Sequence, residues 1–156
     1  MPDLIKRTTL MVRDAQLAAE WYTTVFGLRR WMDTPFTLSG RQLAAGARGD
    51  QTRLVIMAGD HDTLGMIGLL EWLEPRRAPA TPPSFSLEFG APIFVVSADD
   101  AADTCERAAR SGSRIYCEPY SWTVTGADGR TKEMIGTSFF DLDGYFFEVN
   151  QLVRHL

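Results

Sequence analysis

The chain has 156 residues, of which 45% are hydrophobic and 11% aromatic. That is enough to bury a core in one domain or two half-size modules, and it argues against disorder. Two histidines (His61, His155) and two cysteines (Cys105, Cys117) exclude a zinc ribbon, a four-cysteine site or a three-histidine site within one chain, while a formal charge of −4 with no long run of either sign speaks against nucleic acid or an anionic membrane as partner.

Thr8–Trp31 opens on a β-rich run, and Asp14 is placed to cap a helix by accepting its first free N–H groups. Leu17, Trp21 and Val25, with Ala18 and Tyr22, predict one buried helix face, and Gly27 stands where a left-handed ending residue is wanted. Strands are expected over Leu28–Pro35, Arg53–Ala58 and Met66–Glu74, with an extra piece around Gln42–Arg48. Glu74–Gly90 holds four of the eight prolines and reads as an exposed linker. Beyond it, Ile93–Tyr116 repeats the pattern. A strand precedes Asp99 or Asp100 as cap, then come Ala101 or Ala102, Cys105, Ala108 and Ala109 on a helix face, and Gly112. The last strands are expected over Arg114–Glu118 (running on towards Val124), Thr131–Phe140 and Tyr145–Leu152, with Gly126–Gly129 (GADG) as a hairpin turn.

The two halves align at an offset of 85, which superposes Leu10 on Val95, Asp14 on Asp99, Gly27 on Gly112, Arg29 on Arg114 and Trp31 on Tyr116. The expected fold is therefore α+β. Two tandem βαβββ modules (1–73 and 91–156, joined by the linker 74–90) form one globular unit, a curved mixed sheet around a concave cup with helices outside. No run reaches the roughly 18 apolar residues of a membrane span, and the start MPDLIKRTTL has no apolar signal-peptide core. A cytoplasmic protein with reduced cysteines is expected.

Leu10-x-Val12-x-Asp14, Trp21-Tyr22, Phe26-Gly27 and Ser138–Glu148 (SFFDLDGYFFE) resemble the motifs of the vicinal oxygen chelate superfamily, the glyoxalases, bleomycin-resistance proteins and extradiol dioxygenases. Leu142 replaces the usual proline of the last motif. The resemblance runs from Ile5 to Gln151. It implies four metal-ligand positions, on the first and last strands of both modules. They fall on Arg7, on Gly68 or (with a shifted register) Glu71, on Pro92 by the offset, and on Glu148. Arginine cannot ligate, and one or two carboxylates do not make the N/O set that Ni, Zn or Fe requires. No cofactor is expected. A divalent metal, with Glu148 as a ligand, stays as the alternative although three of the four ligands are missing.

Strand alternation then sets the cup lining. Arg7, Thr9 and Met11 share one face of the first strand, and Phe146, Glu148 and Asn150 share one face of the last. Trp72 has the parity of Gly68, and Phe94, Tyr120 and Trp122 complete an aromatic wall suited to a flat small molecule, the alternative being that half of these aromatics fill a dimer or module interface. Arg7 either pairs with Glu148 in place of the metal, or is solvated while Glu148 is vestigial; an unpaired Arg7 would suit an anionic ligand. Asp141–Gly144 (DLDG) reads as a turn rather than a calcium loop, and His61 as a polar turn residue. Cys105 reads as packing, and no Gly-x-Ser-x-Gly elbow, phosphate loop or dinucleotide fingerprint is present.

Two functions follow from the resemblance. One is lyase or isomerase chemistry on a small organic molecule, with Glu148 as acid or base. The other is non-catalytic sequestration of an antibiotic or metabolite. The resemblance also implies a homodimer.

Overall fold

A computed structural model describes residues 2–61, 63–77 and 81–156. The chain divides into two compact units, Met1–Pro82 and Pro83–Leu156. The first contains β1 (Arg7–Met11), α1 (Ala15–Phe26), β2 (Arg29–Thr37), β3 (Gln51–Ala58) and β4 (Met66–Glu74). The second contains β5 (Ile93–Ser97), α2 (Ala101–Arg110), β6 (Arg114–Thr125), β7 (Thr131–Phe140) and β8 (Phe146–His155). Each unit is a βαβββ module with a four-stranded mixed sheet, ordered β1-β4-β3-β2 and β5-β8-β7-β6. The fold is α+β, as the duplication predicts. In each sheet the first strand runs parallel to the last. The first and second strands lie at opposite edges pointing the same way, so a helical crossover must connect those two, and α1 and α2 supply it.

Helix α1 starts because the Asp14 carboxylate accepts the Leu17 N–H at 2.9 Å, and it ends on Gly27 at φ 69. Ala15, Ala18, Ala19, Trp21, Tyr22 and Val25 are buried towards β3 and β4, where Val55, Met57 and Leu69 are fully buried. Leu17 corrects the expected helix face: it is 53% exposed, because at 100° per residue it lies well off the mean direction of the buried set.

In α2 the cap is Asp100, not Asp99, with its carboxylate accepting from the Asp103 N–H. The buried face is Ala101, Thr104, Cys105 and Ala108, and Ala109 faces solvent. Caps at 14 and 100 make the true offset 86 through the first strand and helix start. Helix α2 is 10 residues long against 12 in α1, which brings the offset to 84 at the helix ends, and Ser111 as the cap before Gly112 makes it 85 at the glycines.

Residues 42–48 form no strand. They belong to a loop between β2 and β3 that closes on itself through Leu38 N–H to Asp50 O and Gly49 N–H to Leu38 O, each 2.9 Å. Leu38 packs with Leu70 and Trp72, and Ala45 and Leu54 join them. Of the proline-rich segment, Ala78, Pro79 and Ala80 lie outside the described residues. Its described part is mostly exposed, although Phe85 packs edge-on to Phe140 at 5.6 Å beneath the Arg114 guanidinium.

The GADG turn closes through Gly126 N–H to Arg130 O at 2.9 Å. In the DLDG turn, buried Asp141 accepts the N–H groups of Asp143 and Tyr145 at 2.9 and 2.8 Å, the turn chemistry expected of it. Among the described residues, no helix is long and apolar enough to cross a membrane.

Candidate functional site: a lidded cavity and an open carboxylate face

In the first unit, Leu10 is buried while Arg7, Thr9 and Met11 project from the other side of β1. The register pairs Arg7 with Met66, Thr9 with Gly68 and Met11 with Leu70. Across the sheet Leu70 faces Leu54, and Trp72 and Phe36 both face Thr52. Arg7, Thr9, Phe36, Leu54 and Leu70 therefore share one surface, opposite α1. The loop folds against that surface with Leu38, Ser39, Gly40, Gln42, Leu43 and Ala45, forming one side of a half-open cavity of about 320 Å³. Met11 shares the face but not the cavity wall.

The Arg7 Nε donates to Thr9 Oγ1 at 3.1 Å. Gly68 makes this arrangement possible. A Cβ at that position would stand 2.7 Å from Thr9 Oγ1 and 3.3 Å from Arg7 Cδ. Glu71 has the opposite parity and accepts the Ala15 N–H at 3.0 Å, so the choice between Gly68 and Glu71 falls on Gly68.

Trp72 lies behind the loop rather than in the cavity wall. Its Nε1 donates to the buried Asp50 carboxylate at 3.1 Å, and Arg77 lies 5.4 Å from its ring centre. Asp50 also accepts the Ala47 N–H at 3.0 Å. The bond from Ala47 and then that from Trp72 hold its carboxyl below the usual aspartate value.

In the second unit, Glu148 pairs with Val95 on one side and Ser138 on the other, and it is exposed. Among the described residues it has no hydrogen-bond or ion-pair partner. Phe146 and Asn150 share its face, and Phe146 packs against Phe140 at 4.9 Å and Tyr116 at 6.0 Å. Tyr120 pairs with Gly136, and Trp122 lies over the same glycine. A Cβ at Gly136 would be 3.0 Å from Trp122 Nε1 and 3.3 Å from Asn150 Oδ1. Tyr120, Trp122, Phe146, Glu148 and Asn150 thus share a face.

Phe94 does not, which corrects its expected place in the lining. It stacks on fully buried Phe147 at 5.0 Å, on the side opposite Glu148. Its neighbour Val95, 68% exposed, takes the Glu148 side.

The register also corrects the third metal position. Ile93 lies opposite Phe146 as Arg7 lies opposite Met66, so Ile93, not Pro92, is the counterpart of Arg7. Arg7, Gly68 and Ile93 offer no side-chain lone pair, and one carboxylate remains. Among the described residues no three His, Cys, Asp or Glu side chains cluster to hold a metal. The donor set does not fit a divalent ion.

Elsewhere, His61 Nδ1 accepts the N–H groups of Thr63 and Leu64 at 3.1 and 3.0 Å, so it organises its own exposed turn. Cys105 is buried under α2, and burial raises its thiol pKa, which suits packing rather than nucleophilic work. The loop lining was not foreseen from the sequence. Leu38 and Leu43 among polar residues, with glycines at 40, 46 and 49, were the available signal. All three glycines take positive φ.

A family model described as Glyoxalase/Bleomycin resistance protein/Dioxygenase superfamily matches residues 4–149. Among solved structures, a glyoxalase family protein from Bacillus cereus is similar at TM-score 0.77 and 12% identity, over 98% of this chain and 97% of that one. The trypanothione-dependent glyoxalase I of Leishmania major is similar at TM-score 0.61 and 14% identity, over 96% and 87%. A glyoxalase I mutant from Zea mays reaches 0.56 at 13% identity, over 93% of this chain and 45% of that one. No curated protein matches the sequence.

Proposed function

The chain belongs to the Glyoxalase/Bleomycin resistance protein/Dioxygenase superfamily, and from that premise we propose that it binds a small organic molecule in the cavity of its first unit, without a metal. The cavity carries the reading. It is a half-open cavity between sheet and loop, about 320 Å³ in volume, and lined mainly by aliphatic and aromatic carbon with a few polar groups. That size and lining match the lower end of small-molecule sites, where apolar walls supply affinity and sparse polar groups set orientation. A fragment screen by protein-observed NMR tests it. Shifts should concentrate at Arg7, Thr9, Leu54 and Leu70, and Ala45→Phe, which fills the cavity, should abolish them while circular dichroism is unchanged. Hits that leave these residues unmoved would defeat the reading. The same reading takes the protein to be a cytoplasmic homodimer, which light scattering and cell fractionation test.

A second reading, lyase or isomerase chemistry, is favoured by one observation. Glu148 is an exposed carboxylate with no hydrogen-bond or ion-pair partner among the described residues, on a face shared with Tyr120, Trp122, Phe146 and Asn150. Glu148→Gln should remove turnover while leaving ligand affinity in place. Turnover retained in that variant would take Glu148 out of the chemistry, and no turnover by wild type would leave only sequestration.

A further inference from the structure

The polar character of the cavity comes from one residue above all, and it specifies a ligand class. Arg7 is the single charged residue in the wall, and no Asp or Glu lines the cavity with it. Among the described residues the guanidinium has no carboxylate partner. Its Nε is already engaged by Thr9 Oγ1 at 3.1 Å, which fixes the plane of the group and leaves the two terminal nitrogens to donate. Thr9, having accepted from Arg7, keeps its own O–H to donate. Gly68 leaves the room in which the Arg7 stem crosses β4. The remaining sheet wall is Phe36, Leu54 and Leu70.

We propose, building on the cavity reading, that the ligand is an organic monocarboxylate. Arg7 takes the carboxylate end-on through its two Nη groups, Thr9 adds a hydroxyl donor, and the apolar body lies against Phe36, Leu54 and Leu70 beneath the loop. The fork of a guanidinium matches the two oxygens of a carboxylate, and the paired bonds are charge-assisted. One cation balances one negative charge; a phosphate dianion would bring a second into apolar walls with nothing opposite it. The family resemblance of the sequence implies a metal-ligand position at Arg7. Here the cation is part of the chain.

The probes are 3-phenylpropionate and its neutral isostere 3-phenylpropionamide, titrated by NMR into wild type, Arg7→Met and Arg7→Lys, with folding checked by thermal unfolding. The acid should bind wild type roughly tenfold or more tighter than the amide, the scale of hydrogen bonds to a charged group. Arg7→Met should reduce the acid to the affinity of the amide and leave the amide unchanged. Arg7→Lys should restore part of the preference, because a point charge replaces the fork. Equal binding of acid and amide to wild type, or an acid preference that survives Arg7→Met, overturns the proposal and leaves the cavity reading standing. Failure of wild type to bind either probe up to millimolar concentration counts against both.

Discussion

The Ala15 N–H donates to Glu71 Oε2 at 3.0 Å, tying β4 to the first turn of α1 from the face opposite the cavity. Gln151 does the same in the second unit, accepting the Ala101 N–H at 3.0 Å. Each side chain satisfies a helix N–H that has no intrahelical partner. Glu71→Ala should therefore cost about 1 kcal/mol, as loss of a helix cap does, while Glu71→Gln should retain most of it. Urea unfolding reads the difference, and ligand binding should be unchanged in both variants.

Gly68 is a packing requirement. Its Cβ position falls 2.7 Å from Thr9 Oγ1, an atom on a short β-branched side chain that cannot swing away cheaply. Gly68→Ala should destabilise by about 1–3 kcal/mol, the usual penalty for overfilling a packed site. Thr9→Ala removes the oxygen, so the double variant should recover part of that loss. Additive effects of the two substitutions in denaturant unfolding would show that the clash is not the cause.

The two βαβββ modules and the side-to-side alternation along β1 and β8 were legible in the sequence because period-two alternation and two Asp–Gly frames are local signals. Three details were not. Whether Asp99 or Asp100 caps α2 depends on a single-residue offset that two adjacent aspartates conceal. The face of Phe94 follows from its parallel pairing with Phe147, a contact between strands far apart in sequence. Gln42–Arg48 is moderately apolar and by pattern suits a strand, but glycines at 40, 46 and 49 bend the loop between β2 and β3 back over the sheet.

That loop is held by the bond between Trp72 Nε1 and Asp50 and by the bond from Ala47 to the same carboxylate. Asp50→Ala leaves the indole N–H and the Ala47 N–H without their acceptor, which buried donors tolerate poorly. The expected result is faster tryptic cleavage after Arg41 and Arg48, weaker binding in the cavity, and little change in far-ultraviolet circular dichroism. Unaltered cleavage would mean that Leu38 and Ala45 hold the loop without the polar latch.

Acid should open the same latch, and the direction follows from two aspartates. Asp33 is held below its usual value chiefly by Arg53, whose Nε and Nη2 donate to its two oxygens at 2.8 and 2.7 Å. Asp50 is held low by Ala47 and Trp72. A carboxyl whose folded value is depressed contributes stability that is fully present above the unfolded value, about 3.9, and is lost as pH falls through the lower folded value. Their contribution should thus be constant from neutral pH down to about pH 4 and fall below it. The share of Asp33 is about 1 kcal/mol or less, because both partners are 31% exposed and solvent screens the pair. Arg53→Met should remove most of the Asp33 share of the acid slope, Arg30 keeping the rest, and leave that of Asp50. Thermal unfolding from pH 7 to pH 3 measures the slope, and tryptic cleavage after refolding at each pH shows whether loop release is reversible. A stability loss already under way near pH 6 would assign the acid sensitivity to other groups.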